Sequence, residues 1–157
     1  MPARPQPVPE GVHTVTPRLV CGDAAAAIEF YKTAFGARET EPRFAEPSGR
    51  IVNAEITIGD SLVRLTDDSR DGNGIAPDRN GQQVTTILAI TVPDVDALWA
   101  RATAAGAEVV FPLADQFYGD RGGRLRDPFG HQWMLSTHIE DVSHEEVERR
   151  ARELGMA

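Results

Sequence analysis

Apolar side chains recur at helical spacing in two stretches, residues 23–37 and 93–107, which lie about seventy residues apart. Each stretch has an Asp at or next to its start and closes with a Gly-Ala pair. An Asp often caps the first turn of a helix, and a Gly after the last turn allows the left-handed backbone that ends many helices. The pattern therefore predicts two equivalent amphipathic helices, ending at Gly36 and Gly106, and an internal duplication.

Short apolar runs with strand-like alternation flank both predicted helices. One run precedes each helix, at residues 15–20 and 86–92, and two or three runs follow it, separated by Gly, Pro and Asp. The repeating unit is thus a strand, a helix and a small meander. The sequence predicts an α+β fold in a single domain of two tandem modules, residues 15–66 and 84–141.

The segments outside the two modules lack the periodicity of a core. Residues 1–14 are rich in proline and predict an extended N-terminus, whereas residues 67–83 are rich in Asp, Gly, Asn and Arg and predict a polar linker. Residues 142–157 predict a C-terminal helix. Ser143 is a favourable first cap for that helix, and the two glutamates that follow suit its positive end.

Alternation along the predicted strands sorts their side chains onto an apolar face and a polar face. In residues 51–58 the polar set is Asn53, Glu55 and Thr57, and in the last strand it is Gln132, Met134, Ser136 and His138. Arg18 and Arg64 lie on the corresponding faces of their strands, and Arg124 flanks an apolar Leu125. If the apolar faces pack on the helices, the polar faces line a hydrated surface.

Composition narrows the classes of partner and location. The chain has 157 residues, 41% of them hydrophobic, and a formal net charge of -8, so no basic surface favours nucleic acid or an anionic membrane. The single cysteine excludes an intramolecular disulfide, and no apolar run is as long as a signal sequence or membrane span. We expect a cytoplasmic protein without nucleic-acid or membrane partners.

Three segments carry a resemblance to a known family: residues 26–37, 54–60 and 115–133, the last containing Asp127-Pro-Phe-Gly-His131. They resemble the vicinal oxygen chelate superfamily, which includes glyoxalase I, extradiol dioxygenases and bleomycin-resistance proteins, and in particular its PhnB-like branch. The resemblance implies two βαβββ modules whose mixed sheets curl into a cup, with the helices outside and a small molecule inside. It also implies a homodimer, with modules paired within a chain or swapped between subunits.

Glyoxalase-like members of this superfamily hold a divalent metal with one side chain from the first and last strands of each module. In this chain the four positions fall on Thr16, Arg64, Ile87 and Met134. A guanidinium and an alkyl group do not coordinate a cation, and a thioether suits soft metals. The sequence therefore predicts no cofactor, although a divalent metal at a non-standard site stays open. Asn53 departs further from the branch, which usually has a histidine there.

The candidate site residues follow from the polar strand faces and from the loop that the resemblance places at the mouth of the cup. The predicted ligand-binding residues are Thr16, Arg18, Asn53, Arg64, Tyr118, Arg121, Arg124, Met134 and His138, and the candidate catalytic base is Glu55. The arginines fit a carboxylate or phosphate, and they equally fit an internal pair with Glu55. His138 fits a rim position as well as a site, and Tyr118 with Arg121 fits a structural turn.

Two hypotheses of different classes follow. The first is a metal-independent binding protein that holds a small anionic molecule in the cup of the sheet. The alternative is an isomerase, lyase or oxygenase of the same superfamily, in which Glu55 moves a proton and the arginines stabilise an oxyanion. Loss of turnover in Glu55→Gln with unchanged affinity would favour the enzyme.

Overall fold

The computed structural model describes residues 6–69, 74–81 and 83–156. These residues form two compact units that divide between Pro77 and Asp78. The first unit contains β1 (Arg18–Cys21), α1 (Ala24–Phe35), β2 (Arg38–Glu39), β3 (Phe44–Ala45), β4 (Ile51–Ile58) and β5 (Ser61–Asp67). The second contains β6 (Ile87–Thr91), α2 (Val95–Ala104), β7 (Glu108–Asp115), β8 (Asp120–Arg126), β9 (Gln132–His138) and α3 (His144–Glu153). The predicted α+β class is confirmed.

The two units share one strand topology. In the first, the sheet order is β1-β5-β4-β2, with β3 pairing β4 beside β2, and β1 runs parallel to β5. In the second, the order is β6-β9-β8-β7, and β6 runs parallel to β9. The remaining pairs are antiparallel. The short strands β2 and β3 both pair with β4, as β7 pairs with β8, so together they take the place of β7. Each unit is thus a βαβββ module, which confirms the duplication predicted from the two helical stretches.

Helix α1 begins and ends where its sequence predicts. The Asp23 carboxylate accepts a hydrogen bond from the backbone N–H of Ala26 at 2.9 Å, and Gly36 follows the last turn with φ of 67°. A residue with a Cβ is strained at that φ, which is why glycine is favoured there. The buried face of the helix is Ala24, Ala27, Ile28, Phe30, Tyr31, Ala34 and Phe35.

Helix α2 repeats the same start in the second unit. The Asp94 carboxylate accepts from the N–H of Ala97 at 2.9 Å, and Gly106 lies just beyond the helix with φ of 114°. The indole of Trp99 packs on Gly123 of β8 so closely that a Cβ there would lie 2.7 Å from the ring. Glycine at position 123 therefore lets the helix approach the sheet.

A side chain at the end of the last strand anchors the first residue of each helix. In the first unit the Asp67 carboxylate accepts from the N–H groups of Ala24, at 2.6 Å, and Ile51, at 2.7 Å. In the second unit the Thr137 hydroxyl accepts from the N–H of Val95 at 2.9 Å. Asp67 ends β5 and is the first residue of the stretch predicted as a linker, so β5 continues one residue into that stretch.

The core of the second unit centres on the β8–β9 hairpin, where Leu125, Trp133 and Leu135 are buried. Asp127 starts the turn and is only 3% exposed. Its carboxylate accepts from the N–H groups of Phe129 and His131 and from the indole N–H of Trp133, at 2.9, 3.0 and 2.8 Å. A buried carboxylate with three donors stabilises the turn that joins the two central strands.

Several predicted boundaries differ in detail. The first strand begins at Arg18 rather than Val15, because Pro17 has no N–H for a strand ladder and the Val15 side chain is exposed. The C-terminal helix is confirmed and is capped by Ser143, but no residue of it is buried. Residues 1–5 of the predicted N-terminus, 70–73 and 82 of the predicted linker and Ala157 lie outside the described residues. No helix in the described part of the chain is long and apolar enough to cross a membrane.

Candidate functional site

A row of charged side chains crosses the polar face of the first unit. Arg64 lies directly opposite Arg18 of β1 on one side and Glu55 of β4 on the other. The Arg64 Nε donates to Glu55 Oε1 at 2.8 Å, and an Arg18 Nη donates to the carbonyl of Val52 at 2.6 Å. Glu55 thus has a guanidinium partner, which is the internal pair given above as the alternative to ligand binding by the arginines.

Two further predicted residues lie near this row. Asn53 is on the same face of β4 as Glu55, two residues earlier, and pairs with Phe44 of β3. Thr16 precedes β1 and is half-buried. Five of the ten predicted residues, Thr16, Arg18, Asn53, Glu55 and Arg64, therefore belong to the first unit.

The second unit contains a pocket of about 140 Å³ on the face of its sheet opposite α2. Its side chains come from β7, β8, β9 and the turn between β7 and β8: Phe111, Gln116, Tyr118, Arg124, Met134 and Ser136. Gly122 lies opposite Ser136 in the β8–β9 pair and also contributes to the lining. Because Gly122 has no side chain, space remains between Arg124 and the turn.

Arg124 is the charged residue of this pocket. Its Cζ lies 5.0 Å from the ring centroid of Phe111, a cation–π distance. Its Nε is the one buried side-chain nitrogen or oxygen without a hydrogen-bond partner in the part of the chain that the structure describes. A buried donor without an acceptor is unfavourable by about 1–3 kcal/mol. The pocket is therefore lined by a guanidinium that lies beside an aromatic ring and has no hydrogen-bond partner at its Nε.

The turn before β8 supplies neutral polar groups. The Gln116 side-chain amide donates to the carbonyls of Ala114 and Gly122 at 3.2 and 3.1 Å. Partial burial, and then the nearby Asp120 carboxylate, raise the pKa of Tyr118, so its hydroxyl is protonated at neutral pH and can donate a hydrogen bond. Tyr118, Arg124 and Met134 are the three predicted residues that the structure brings into one pocket.

Arg121 lies on the other face of β8. It alternates with Asp120 and Gly122, so its side chain points to the α2 side, where Nε and Nη2 donate to Asp96 at 2.8 Å and Nη1 donates to Asp115 at 2.9 Å. The Arg121 guanidinium holds the pKa of Asp96 below its ordinary value. The structure does not bring Arg121 to the pocket, and its two carboxylate partners support the structural reading of this residue.

His138 lies at the edge of the sheet between two carboxylates. Its ring nitrogens lie 2.8 Å from Asp120 Oδ1 and 2.9 Å from Asp141 Oδ1. Hydrogen bonds to Asp141 and Asp120 raise the pKa of His138 above 6.5. A rim position was one of the two predicted readings of this histidine, and His138 does not line the pocket.

The fold and its two equivalent modules suggest comparison with known proteins. A family model described as the Glyoxalase/Bleomycin resistance protein/Dioxygenase superfamily matches residues 11–135. The chain belongs to this superfamily.

Individual proteins and solved structures are also similar to the chain. An uncharacterized protein of Mycobacterium bovis is 42% identical over 137 residues, covering 85% of this chain and 89% of that protein. The crystal structure of TioX from Micromonospora sp. ML1 is 28% identical with a TM-score of 0.64, covering 82% of this chain and all of that one. A Bacillus cereus PhnB protein, described as a putative 3-demethylubiquinone-9 3-methyltransferase, is 18% identical with a TM-score of 0.61 over 80% of this chain and 99% of that one, so it shows the same fold.

The divalent metal that the resemblance to glyoxalase-like members implies does not suit the side chains at the matching positions. In the first sheet the residue opposite Arg64 is Arg18, two positions after the predicted Thr16. In the second sheet the residue opposite Met134 is Ala89 of β6, two positions after the predicted Ile87. Guanidinium and methyl groups are not metal ligands, and a lone thioether is a poor one for a hard cation. Within the described residues, no three His, Cys, Asp or Glu side chains come together to hold an ion.

Besides two glycines, the residues predicted from the sequence leave out three that line the pocket with side chains: Phe111, Gln116 and Ser136. Ser136 lies on the polar face that the alternation of its strand predicts, beside Met134 and His138. Phe111 had no usable signal, because the register of β7 against β8 shifts on both sides of it and interrupts the alternation from which faces are assigned. Gln116 lies in the turn, where periodicity says nothing about side-chain direction.

Proposed function

We propose that this protein binds a small organic anion in the pocket of its second module, with a carboxylate on Arg124, and that it does so without a divalent metal. The observation that carries this proposal is the buried, unpartnered Nε of Arg124. An incoming carboxylate would reach the guanidinium from the pocket and supply a counter-charge. Hydrogen bonds to charged groups contribute about 1.5–3 kcal/mol each, so this contact favours a carboxylate over an uncharged group of the same shape.

The rest of the pocket favours a partly apolar ligand. Phe111 and Met134 offer an aromatic face and a flexible thioether, and Phe111 stacks on the guanidinium and thereby limits its orientation. The volume of about 140 Å³ is close to that of a cavity that holds one benzene ring, about 150 Å³. A one-ring carboxylic acid therefore matches both the size and the chemistry of the pocket.

The test is a titration of isotope-labelled protein with benzoate, followed by the amide NMR signals. A ligand that gains about 4 kcal/mol binds with a Kd of about 1 mM, so benzoate is added to about ten times that concentration. We expect shifts at residues 111, 116–118, 122–124 and 134–136. Benzamide, which has the same shape without the charge, is the matched control ligand and should bind much more weakly.

Two variants separate the Arg124 contact from general charge. Arg124→Gln should weaken benzoate binding about 10–100-fold, which corresponds to the loss of one charge-assisted hydrogen bond. Arg38→Gln removes an exposed guanidinium from β2 of the first module and should leave the Kd unchanged. The proposal is wrong if benzoate leaves the pocket signals in place, if benzamide binds equally well, or if Arg124→Gln has the affinity of the wild type. An unchanged Kd after treatment with EDTA is expected, and dependence on added Zn²⁺ or Ni²⁺ would refute the metal-independent part.

The enzyme alternative has one specific observation in its favour. Glu55 is mostly buried, and Arg64 occupies only one of its two carboxylate oxygens by a hydrogen bond in the structure. The second oxygen is thus available to a proton on a substrate. The assay is product formation from a one-ring oxo acid or enolisable acid. If the wild type forms product, Glu55→Gln should abolish turnover and leave the Kd of benzoate unchanged. A Glu55→Gln protein with full turnover would eliminate Glu55 as the base.

A further inference from the structure

The pocket turn, residues 116–119 between β7 and β8, is held by the chain that follows β9. Its Gly119 carbonyl accepts hydrogen bonds from the N–H groups of Ile139 and Glu140, at 2.9 and 3.0 Å. Gly119 has φ of 96°, and a Cβ there would lie 2.2 Å from the Glu140 carbonyl oxygen. Glycine at 119 therefore permits a backbone approach that any other residue would prevent. Residues 139 and 140 lie beyond the part of the chain that the superfamily model matches, which ends at 135.

Arg150 of α3 connects three parts of the second unit. Its Nη1 and Nη2 donate to the Glu140 carboxylate at 2.9 and 2.8 Å, and Nη1 also donates to the carbonyl of Phe117 at 3.3 Å. Its Nε donates to Glu146 in its own helix at 2.7 Å. Phe117 directly precedes Tyr118, and the two rings contact each other edge to face with centroids 5.2 Å apart. One guanidinium thus joins α3, the segment after β9 and the pocket turn.

Polar contacts dominate the attachment of α3. No residue of this helix is buried, so little apolar packing fixes its position. On the other side of the turn, His138 joins Asp120, which follows the turn, to Asp141, which precedes the helix. The C-terminal segment, residues 139–154, is therefore attached to the pocket turn from both sides by side-chain contacts.

We propose that the C-terminal segment is a positioning element of the binding pocket, and that Arg150 is the positioning residue that holds Gln116 and Tyr118 in place without touching the ligand. The expected effect of Arg150 on ligand affinity rests on the proposed function, whereas its effect on the order of the turn does not. With Arg150 in place, a ligand meets a turn that is already ordered. Without it, binding must also order the turn and its two side chains, which lowers affinity.

The test compares Arg150→Leu with Arg149→Leu. Both changes remove an arginine from α3 and keep a good helix-forming residue, but the side-chain contacts of Arg149 stay within the helix, to Glu146 and Glu153. Hydrogen exchange of the free protein is measured first. We expect faster exchange in Arg150→Leu at residues 117–120 and 139–142, and unchanged exchange in those segments in Arg149→Leu.

The Kd of benzoate is then measured for both variants. We expect binding about fivefold weaker or more for Arg150→Leu, from the cost of ordering two side chains, and no change for Arg149→Leu. Unchanged exchange in Arg150→Leu would overturn the inference whether or not benzoate binds. Faster exchange with an unchanged Kd would overturn it too, since the turn would then not contribute to binding. If the wild type does not bind benzoate, the proposed function fails, and the exchange data still decide whether Arg150 holds the turn.

Discussion

Replacing Asp127 by Asn tests how strongly one buried carboxylate stabilises the central hairpin of the second unit. Asp127 Oδ1 accepts from two backbone N–H groups, and Oδ2 accepts from the indole N–H of Trp133. An asparagine has one carbonyl oxygen and one NH₂ group. If its oxygen keeps the two backbone donors, its NH₂ faces the indole N–H, and two donors meet in a buried site.

The expected loss is about 3 kcal/mol in the free energy of unfolding, because a charge-assisted hydrogen bond is lost and a buried donor is left without an acceptor. This is a large part of the 5–15 kcal/mol that is typical of a whole domain. Urea unfolding followed by circular dichroism and tryptophan fluorescence measures the change. With a slope of about 2 kcal/mol/M, the midpoint should fall by about 1.5 M.

Asp94→Asn is the matched control for this change. Asp94 is an exposed helix cap that accepts from the N–H of Ala97, and asparagine caps a helix about as well as aspartate. We expect a change of less than about 0.5 kcal/mol in this variant. If Asp127→Asn unfolds at the same urea concentration as Asp94→Asn, the argument from the buried three-donor carboxylate is wrong.

Two further predictions concern charged groups outside the pocket. Because Asp141 and Asp120 raise the pKa of His138, the protonated histidine stabilises the folded state below pH 6.5, and this contribution is lost as the pH rises through the raised pKa. Thermal unfolding should therefore show a larger loss of stability between pH 6 and pH 9 in the wild type than in His138→Asn. Equal losses in the two proteins would contradict this. A double-mutant cycle of Glu55→Gln and Arg64→Gln, measured by urea unfolding, should give a coupling energy of only about 0.5–1 kcal/mol, because the Arg64 side chain is 38% exposed and solvent screens the pair. A coupling energy above about 2 kcal/mol would show that the pair is more isolated from water than the structure indicates.

The helices and their order could be predicted because their signals are local. Asp23, Gly36 and Ser143 each occupy the capping position that their residue type favours, and each cap bonds to a residue of the adjoining helical turn, a few positions away along the chain. The parallel and antiparallel pairing was not contained in any local pattern. It entered through the resemblance to a known family, which the superfamily match confirms.

The candidate site could be predicted only where the strand alternation is regular. Arg124 directly precedes the buried Leu125, so alternation puts the two side chains on opposite faces of β8, and Arg124 lines the pocket. The resemblance places Arg121 in a loop, but β8 begins at Asp120, so alternation directs the Arg121 side chain to the opposite face. Phe111 is hidden by the register shifts of β7. Bulges and strand starts depend on the partner strand, which a single sequence does not display.

The duplication places an arginine and a glutamate at the same position of equivalent rows in the two modules. The sheet registers align two rows of three residues: Arg18, Arg64 and Glu55 in the first module, and Ala89, Met134 and Arg124 in the second. In the first row the carboxylate on the third position already has an arginine beside it. In the second row the third position carries the arginine, and its neighbours are a thioether and a methyl group, neither of which offers a negative charge. An anion is therefore the partner that the second row lacks. By the same argument, the substitution Met134→Glu would supply a carboxylate from the protein itself, and this carboxylate would compete with benzoate for Arg124.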